Sequence, residues 1–192
     1  MTRIRDDSTV PICRAIVVGT TGCGKTTLAA RLAAQLGAPH VELDALHWDP
    51  GWQMAELELF RRRVSKALEG ERWVADGNYS KVRDIVWVRA DTLVWLDYWL
   101  PRILWQLLGR TWRRVVSGEE LWNGNRETWR NAFFARDNLC LYAIRTHRRR
   151  RRQYTVALTK PHHAHLRIIR LRSPRETEKW LVNVPSEPVT EI

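Results

Sequence analysis

The residues most able to do chemistry lie near the N-terminus. Gly19-Thr20-Thr21-Gly22-Cys23-Gly24-Lys25-Thr26 fits G-x-x-x-x-G-K-[ST] at every fixed position. Glycines at these places let the backbone turn inward, so that successive N–H groups point at a phosphate. The helix that follows adds the positive end of its dipole. Lys25 is spaced to reach the β- and γ-phosphates, and Thr26 offers a hydroxyl to Mg²⁺. An apolar strand precedes the loop and an amphipathic helix opens from it, the context the motif demands. Gly19–Thr27 therefore reads as a phosphate cradle for a nucleotide with Mg²⁺.

Three carboxylates stand where they could serve that cradle. Asp76 follows Trp73-Val74-Ala75 and precedes Gly77, and Asp97 follows Leu93-Val94-Trp95-Leu96. The carboxyl ends of strands in an open parallel sheet form the ligand crevice, so either could orient Mg²⁺ through water. A turn or cap is the competing reading, and it weighs most on Asp97. Asp44, at the end of the second strand, could take a proton from an acceptor hydroxyl. His162, His163 and His165 have no fourth ligand at a sensible spacing and read as loop and strand-entry residues.

The elements that must position these groups alternate. Strands are predicted at Ile12–Val18, Val41–Leu43, Trp73–Ala75, Thr92–Leu96 and Arg167–Leu171. Helices are predicted at Lys25–Leu36, Ala55–Leu68 and Leu100–Val115. A final helix is opened by the capping-box form Ser173-Pro174-Arg175-Glu176 and runs to about Val182. Five strands alternating with helices imply an α/β fold of three layers, with a mostly parallel sheet covered on both faces. A long helical insert, roughly Ser117–Leu158, lies between the fourth and fifth strands; it contains Trp122-Asn123-Gly124-Asn125 and the run Arg148–Arg152. The tail after Val184 reads as frayed.

Composition bounds the rest. A chain of 192 residues with 44% hydrophobic and 28% charged residues suits one globular domain spanning residues 1–192. The formal charge is +11, but residues 1–100 are balanced and residues 101–152 carry 13 basic against 4 acidic residues. That segment faces something anionic or is solvated. Cys13, Cys23 and Cys140 form no zinc spacing and no disulfide framework. The N-terminal residues lack the apolar run of a signal peptide, and no apolar stretch is long enough to span a bilayer. The expectation is a soluble cytoplasmic protein without a membrane partner.

The boxes Gly19–Thr27, Leu43-Asp44-Ala45-Leu46-His47-Trp48, Asp76-Gly77-Asn78-Tyr79-Ser80 and Ala90–Asp97 occur in an order that resembles the bacterial adenylate kinase-related, or topology modulation protein, family. Arg148–Arg152 and Ile169-Arg170-Leu171-Arg172-Ser173 resemble it too. The wider resemblance is to the nucleoside monophosphate kinases. It implies a P-loop NTPase fold in which the insert at about 117–158 is a LID. It also implies that ATP is the phosphoryl donor, that Asp76 orients Mg²⁺ and that Arg110, in Gly109-Arg110, stabilises the transferring phosphoryl group. Arg172 joins the nucleotide-binding residues on the same ground. Adenylate kinases follow Asp-Gly with Phe-Pro-Arg, whereas this chain has Asn78-Tyr79-Ser80, which points away from AMP. The Asp44 box looks like the acceptor-binding acid of shikimate- and gluconate-type kinases and favours a hydroxyl acceptor.

Two functions compete on these motifs. One is a small-molecule kinase transferring the γ-phosphoryl group of ATP, with Lys25, Asp44 and Arg110 as its catalytic groups and Arg126, Arg136 and Arg145 as further LID arginines. The other is a P-loop regulator that contacts DNA through Arg148–Arg152. The bland reading of that run is a solvated helix face. Trp112, Trp122 and Trp129 read as core or lid packing.

Overall fold

The structure is a computed structural model, and it describes residues 11–118, 120–125 and 139–185. The main sheet is built from β1 (Arg14–Gly19), β2 (His40–Glu42), β5 (Trp73–Asp76), β6 (Thr92–Leu96) and β7 (Arg167–Leu171), in the order β2-β5-β1-β6-β7. Every pairing in it is parallel. Two strands foreseen in the sequence, Thr92–Leu96 and Arg167–Leu171, have the expected bounds. β1 begins two residues later than expected, at Arg14, and runs into the first loop glycine.

Side chains alternate along β1. Ala15 and Val17 join a core with Leu28, Leu32, Val94, Ile103 and Leu181, which includes α1 (Lys25–Gln35), α5 (Leu100–Ser117) and α7 (Pro174–Asn183). Ile16 and Val18 join the opposite core with Phe60, Val64, Trp87, Trp95 and Tyr154, which includes α3 (Leu57–Ala67), α4 (Arg83–Arg89) and α6 (Leu139–Leu158). Period-2 alternation therefore buries both faces of the sheet between two helical layers. Helix ends carry the expected punctuation. Pro101 opens α5, and Gly118 closes it in the left-handed conformation. Ser173 Oγ accepts the Glu176 N–H at 3.2 Å to start α7.

Three short elements depart from expectation. Asp44 does not end a strand: it lies in the five-residue helix α2 (Leu43–His47), because β2 stops at Glu42. β3 (Trp48–Asp49) and β4 (Gln53–Met54) form an antiparallel hairpin around Pro50-Gly51. α4 is too short to show an apolar period. The insert contains α6, whereas Arg126, Trp129 and Arg136 lie outside the described residues, as do the tail after 185 and residues 1–10. Among the described residues no helix is long and apolar enough to cross a membrane.

One carboxylate ties the central strand to its neighbour. Asp91 accepts N–H groups of Cys13 at 3.1 Å and Arg14 at 2.6 Å, and the Thr92 hydroxyl at 2.7 Å. Asp91→Ala strands two backbone donors at the start of β1 and removes charge-assisted bonds. It is expected to cost about 2–3 kcal/mol, read as a lower urea midpoint at unchanged m-value.

Candidate functional site

The loop from Gly19 to Gly24 leaves the carboxyl end of the central strand, and α1 begins at Lys25. Two glycines are required by contact as well as by backbone. Gly19 has φ 154°, and a Cβ there would stand 2.6 Å from the Leu96 carbonyl oxygen. Gly22 has φ 86°, and a Cβ would stand 2.8 Å from Leu107 Cβ on α5. The bare backbone is thus enclosed by β6 on one side and α5 on the other. Cys23 is buried beneath the loop, and that burial pushes its thiol pKa up. Lys25 Nζ donates back over the loop to the Thr20 carbonyl at 3.4 Å.

The motif threonine and one of the strand-end acids meet. Thr26 Oγ donates to Asp76 Oδ2 at 2.7 Å, and His40 Nε2 lies 3.1 Å from Asp76 Oδ1. Asp76 is 3% exposed. A hydroxyl and a carboxylate side by side at the foot of a phosphate loop are the hard oxygen donors that suit Mg²⁺. Asp97 is used otherwise: it forms ion pairs with Arg151 at 2.9 Å and Arg170 at 2.5 Å, and Arg170 also lies over the Trp95 ring. It is a structural anion that fastens α6 and β7 to the end of β6.

Asp44 lies in α2, just past the end of β2. The Tyr79 hydroxyl donates to it. Burial first, then the Asp44 charge, raises the Tyr79 pKa, so Tyr79 stays protonated and donating. His47 is buried against Phe60, Trp48 and Tyr79, and desolvation lowers its pKa. The front of the insert clasps this region. Asn125 Oδ1 accepts the Trp52 N–H at 2.8 Å, Asn123 donates to the Trp48 carbonyl at 2.5 Å, and Trp122 Nε1 donates to Glu42 at 2.7 Å.

Several residues here were not singled out from sequence. Asn78 braces the loop: its Nδ2 donates to Gly19 O at 2.6 Å, and its Oδ1 accepts the Gly19 N–H at 3.2 Å and the Tyr154 hydroxyl at 2.7 Å. α6 lies along the loop through one face. His147 Nδ1 is 3.0 Å from Thr20 Oγ, Arg150 donates to Thr21 Oγ at 3.4 Å, Arg151 meets Asp97, and Tyr154 meets Asn78. Their spacing of i, i+3, i+4 and i+7 was the available signal. The five-arginine run therefore splits: half-buried Arg150 meets the loop, Arg151 reaches Asp97 from an exposed position, and Arg148, Arg149 and Arg152 are exposed.

The remaining expected residues are less central. Arg110 is half-buried on α5, one turn beyond the Leu107 that covers Gly22. Arg145 is exposed. Arg172 is exposed, and its N–H donates to Glu176 at 2.7 Å as part of the α7 cap. Trp112 is 61% exposed rather than packed in a core, whereas Trp122 does pack, edge-on to Trp52. His163 packs against Trp87, and His165 Nε2 lies 3.0 Å from the Trp87 carbonyl.

Comparison with known proteins agrees with this geometry. Residues 15–82 match the ATPase family associated with various cellular activities (AAA). That stretch runs from β1 through the phosphate loop to the Asp76 turn, about a third of the chain. No curated protein sequence matches the chain. Among solved structures, shikimate kinase from Bacteroides thetaiotaomicron superposes with a TM-score of 0.52 at 18% identity, covering 89% of this chain and 95% of that one. A gluconokinase from Sinorhizobium meliloti gives a TM-score of 0.49 at 17% identity, covering 88% and 91%. A sugar kinase from Janibacter gives 0.48 at 18%, covering 90% and 94%. The first likeness shows the fold: a three-layer P-loop α/β domain.

Two predictions test the site's construction. Asn78→Ala removes both bonds that hold Gly19, so amide exchange at Gly19 and Thr20 is expected to rise about tenfold or more while α7 is unchanged, read by hydrogen–deuterium exchange. The second concerns pH. Burial, then Arg151 and Arg148, depress the His147 pKa, with Asp97 opposing. The docked state therefore favours neutral imidazole, and the freed helix takes up a proton near the ordinary value of about 6.5. Docking stability is full above that pH and falls as pH drops toward the depressed folded value. Exchange protection of α6 should decline between about pH 7 and 5, and His147→Gln should flatten that decline.

Proposed function

We propose that the protein is a small-molecule kinase that moves the γ-phosphoryl group of ATP to an acceptor hydroxyl. The observation that carries this reading is the Thr26–Asp76 hydrogen bond at the base of the loop. It pairs the P-loop hydroxyl with a buried strand-end carboxylate, as a nucleotide bound with Mg²⁺ requires. Thr26 and Asp76 would hold Mg²⁺, Asp76 through water. When bound, that ion neutralises charge on the β- and γ-phosphate oxygens.

The chain's own residues supply the rest. Backbone N–H groups from Gly19 to Thr27 cradle the phosphates, and Lys25 swings from Thr20 O to the β/γ oxygens. Asp44 accepts the proton of the acceptor hydroxyl. That oxygen bonds to the γ-phosphorus while the bond to the bridging oxygen breaks, and the electron pair leaves with ADP. The proton passes from Asp44 to solvent. Tyr79 holds the Asp44 carboxylate in one orientation. Arg110 from α5 and Arg150 from α6 flank the loop as candidates for stabilising charge on the transferring group. Arg172 at the end of β7 is a candidate contact for the nucleotide outside the phosphates. The split of the arginine run favours this reading over the DNA-binding regulator, because Arg150 and Arg151 are committed to the loop and to Asp97.

The test is acceptor-dependent ADP release across a library of small hydroxyl compounds, with nucleotide affinity measured separately. Lys25→Ala should abolish turnover with the fold intact by circular dichroism. Asp44→Asn should leave ATP affinity within about twofold but lower kcat by about 10²–10⁴, the usual contribution of a general base. ATP consumption that depends on duplex DNA, with no small acceptor, would replace the kinase reading with the regulator.

A further inference from the structure

Arginines on the acceptor side of the sheet are nearly all spoken for. Arg61 pairs with Asp84 at 2.6 Å and donates to the Lys81 carbonyl, and Arg63 pairs with Asp49 at 2.8 Å and donates to the Leu46 carbonyl. Arg89 donates to the carbonyls of Ser65 and Leu68. Arg83 differs. No carboxylate among the described residues pairs with it, and its sequence neighbour Asp84 is drawn off by Arg61, which holds the Asp84 carboxyl below the usual range.

Arg83 is instead held against aromatic rings. Its guanidinium carbon lies 4.7 Å from the centre of the Trp87 ring and 6.0 Å from that of Tyr154. Aromatic neighbours attract a guanidinium without neutralising it as a carboxylate would. The side chain is half-buried and lines a cleft with Leu43, Gly77, Asn78, Tyr79 and Tyr154. The enclosed part of the cleft is only about 10 Å³, room for one water, so a ligand would meet Arg83 from the open mouth. Its wall includes Asn78, which braces the phosphate loop, and Tyr79, which positions Asp44.

We propose that Arg83 is the anion anchor of the acceptor site, so that the acceptor is a small hydroxyl compound that also carries an acidic group, carboxylate or phosphate. The inference rests on the kinase reading and refines it. Tyr79 divides two functions: Asp44 on one side takes the hydroxyl proton, and Arg83 in the cleft takes the acid. A half-buried cation without an acid partner is costly to keep desolvated, and a ligand's anion relieves that cost. A neutral polyol of the same size would leave the fork of N–H donors unmatched, and a site built that way discriminates strongly against it.

The experiment separates this inference from the reading beneath it. Titration with a non-hydrolysable ATP analogue and Mg²⁺, on wild type and Lys25→Ala, judges nucleotide binding alone. A panel of aldonic acids, cyclic hydroxy acids and sugar phosphates, each with its neutral alditol or amide counterpart, is then assayed for binding and for ADP release. An acidic class should bind and turn over while its neutral counterpart does neither, and the panel's arms show whether carboxylate or phosphate is preferred. Arg83→Gln should raise KM about tenfold or more with kcat changed less than about threefold, the loss expected of a charge-assisted bond remote from the transferred group. Arg83→Lys should recover part of that loss, which a purely structural role would not predict. Equal use of neutral compounds, an unchanged KM in Arg83→Gln, or no acid binding at all overturns the anchor while Lys25-dependent nucleotide binding leaves the kinase reading standing. Failure of the nucleotide to bind overturns both.

Discussion

A phosphate can be cradled by backbone N–H groups only where nothing stands between them and the ligand, and an unshielded loop must be held by something other than its own side chains. Here the constraint falls on Gly19. Its surroundings have no space for a Cβ, and its N–H and C=O are both taken by the Asn78 side-chain amide. Asn78 thus acts as one extra residue of strand pairing where β5 has already ended. It sits two residues after Asp76, whose carboxylate meets Thr26. A single four-residue stretch, Asp76-Gly77-Asn78-Tyr79, therefore sets the carboxylate beside Thr26, the loop brace and the orientation of Asp44. Shifting that stretch would misplace all three together.

The insert is tied down at two places. Its front, Trp122–Asn125, bonds to Glu42 and to the β3–β4 hairpin. Its far end, α6, reaches Asn78 through Tyr154 and the loop through His147 and Arg150. Asp97 adds an anchor: buried at the end of β6, it holds one arginine from α6 and one from β7. A buried carboxylate with two guanidinium partners is strongly disfavoured when either is withdrawn, so lifting α6 from the loop carries an electrostatic penalty as well as a packing one.

The sequence made the framework legible because its signals are local. Two strands and the starts of α1, α5 and α7 follow from apolar runs, Pro positions and a capping box. The motif and the rule that strand ends line the crevice bring Thr26 near both Asp76 and Asp97, and the family resemblance favours Asp76. What was illegible is tertiary. The sequence reads Asp44 as a strand end, since three residues of β2 give no period, whereas α2 buries Leu43 and His47. Asn78 carries no motif of its own. Five consecutive arginines look like a uniform charge run, and only the neighbours of α6 separate the two that reach Thr21 and Asp97 from the three that remain in water. Asp97 looked like a second candidate for the metal until both of its oxygens were matched to arginines.

Charge pairing then organises the crevice. Most of its guanidinium groups are matched by acids: Asp84, Asp49 and Asp97 account for Arg61, Arg63, Arg151 and Arg170. Two half-buried arginines lie over aromatic rings instead, Arg83 on Trp87 and Arg150 on Tyr142. Arg150 touches Thr21 of the loop, and Arg83 lines the cleft beside Asn78, which braces that loop. An aromatic neighbour holds a guanidinium without neutralising it, so each keeps its field for an anion that arrives from outside. Two such cations near a single loop would offset the mutual repulsion of two anions brought together there only while both stay in place. The insert has a part in both environments: Tyr142 beside Arg150 and Tyr154 beside Arg83 belong to one helix, while Trp87 holds Arg83 from its own helix, so a shift of α6 would alter the surroundings of both cations.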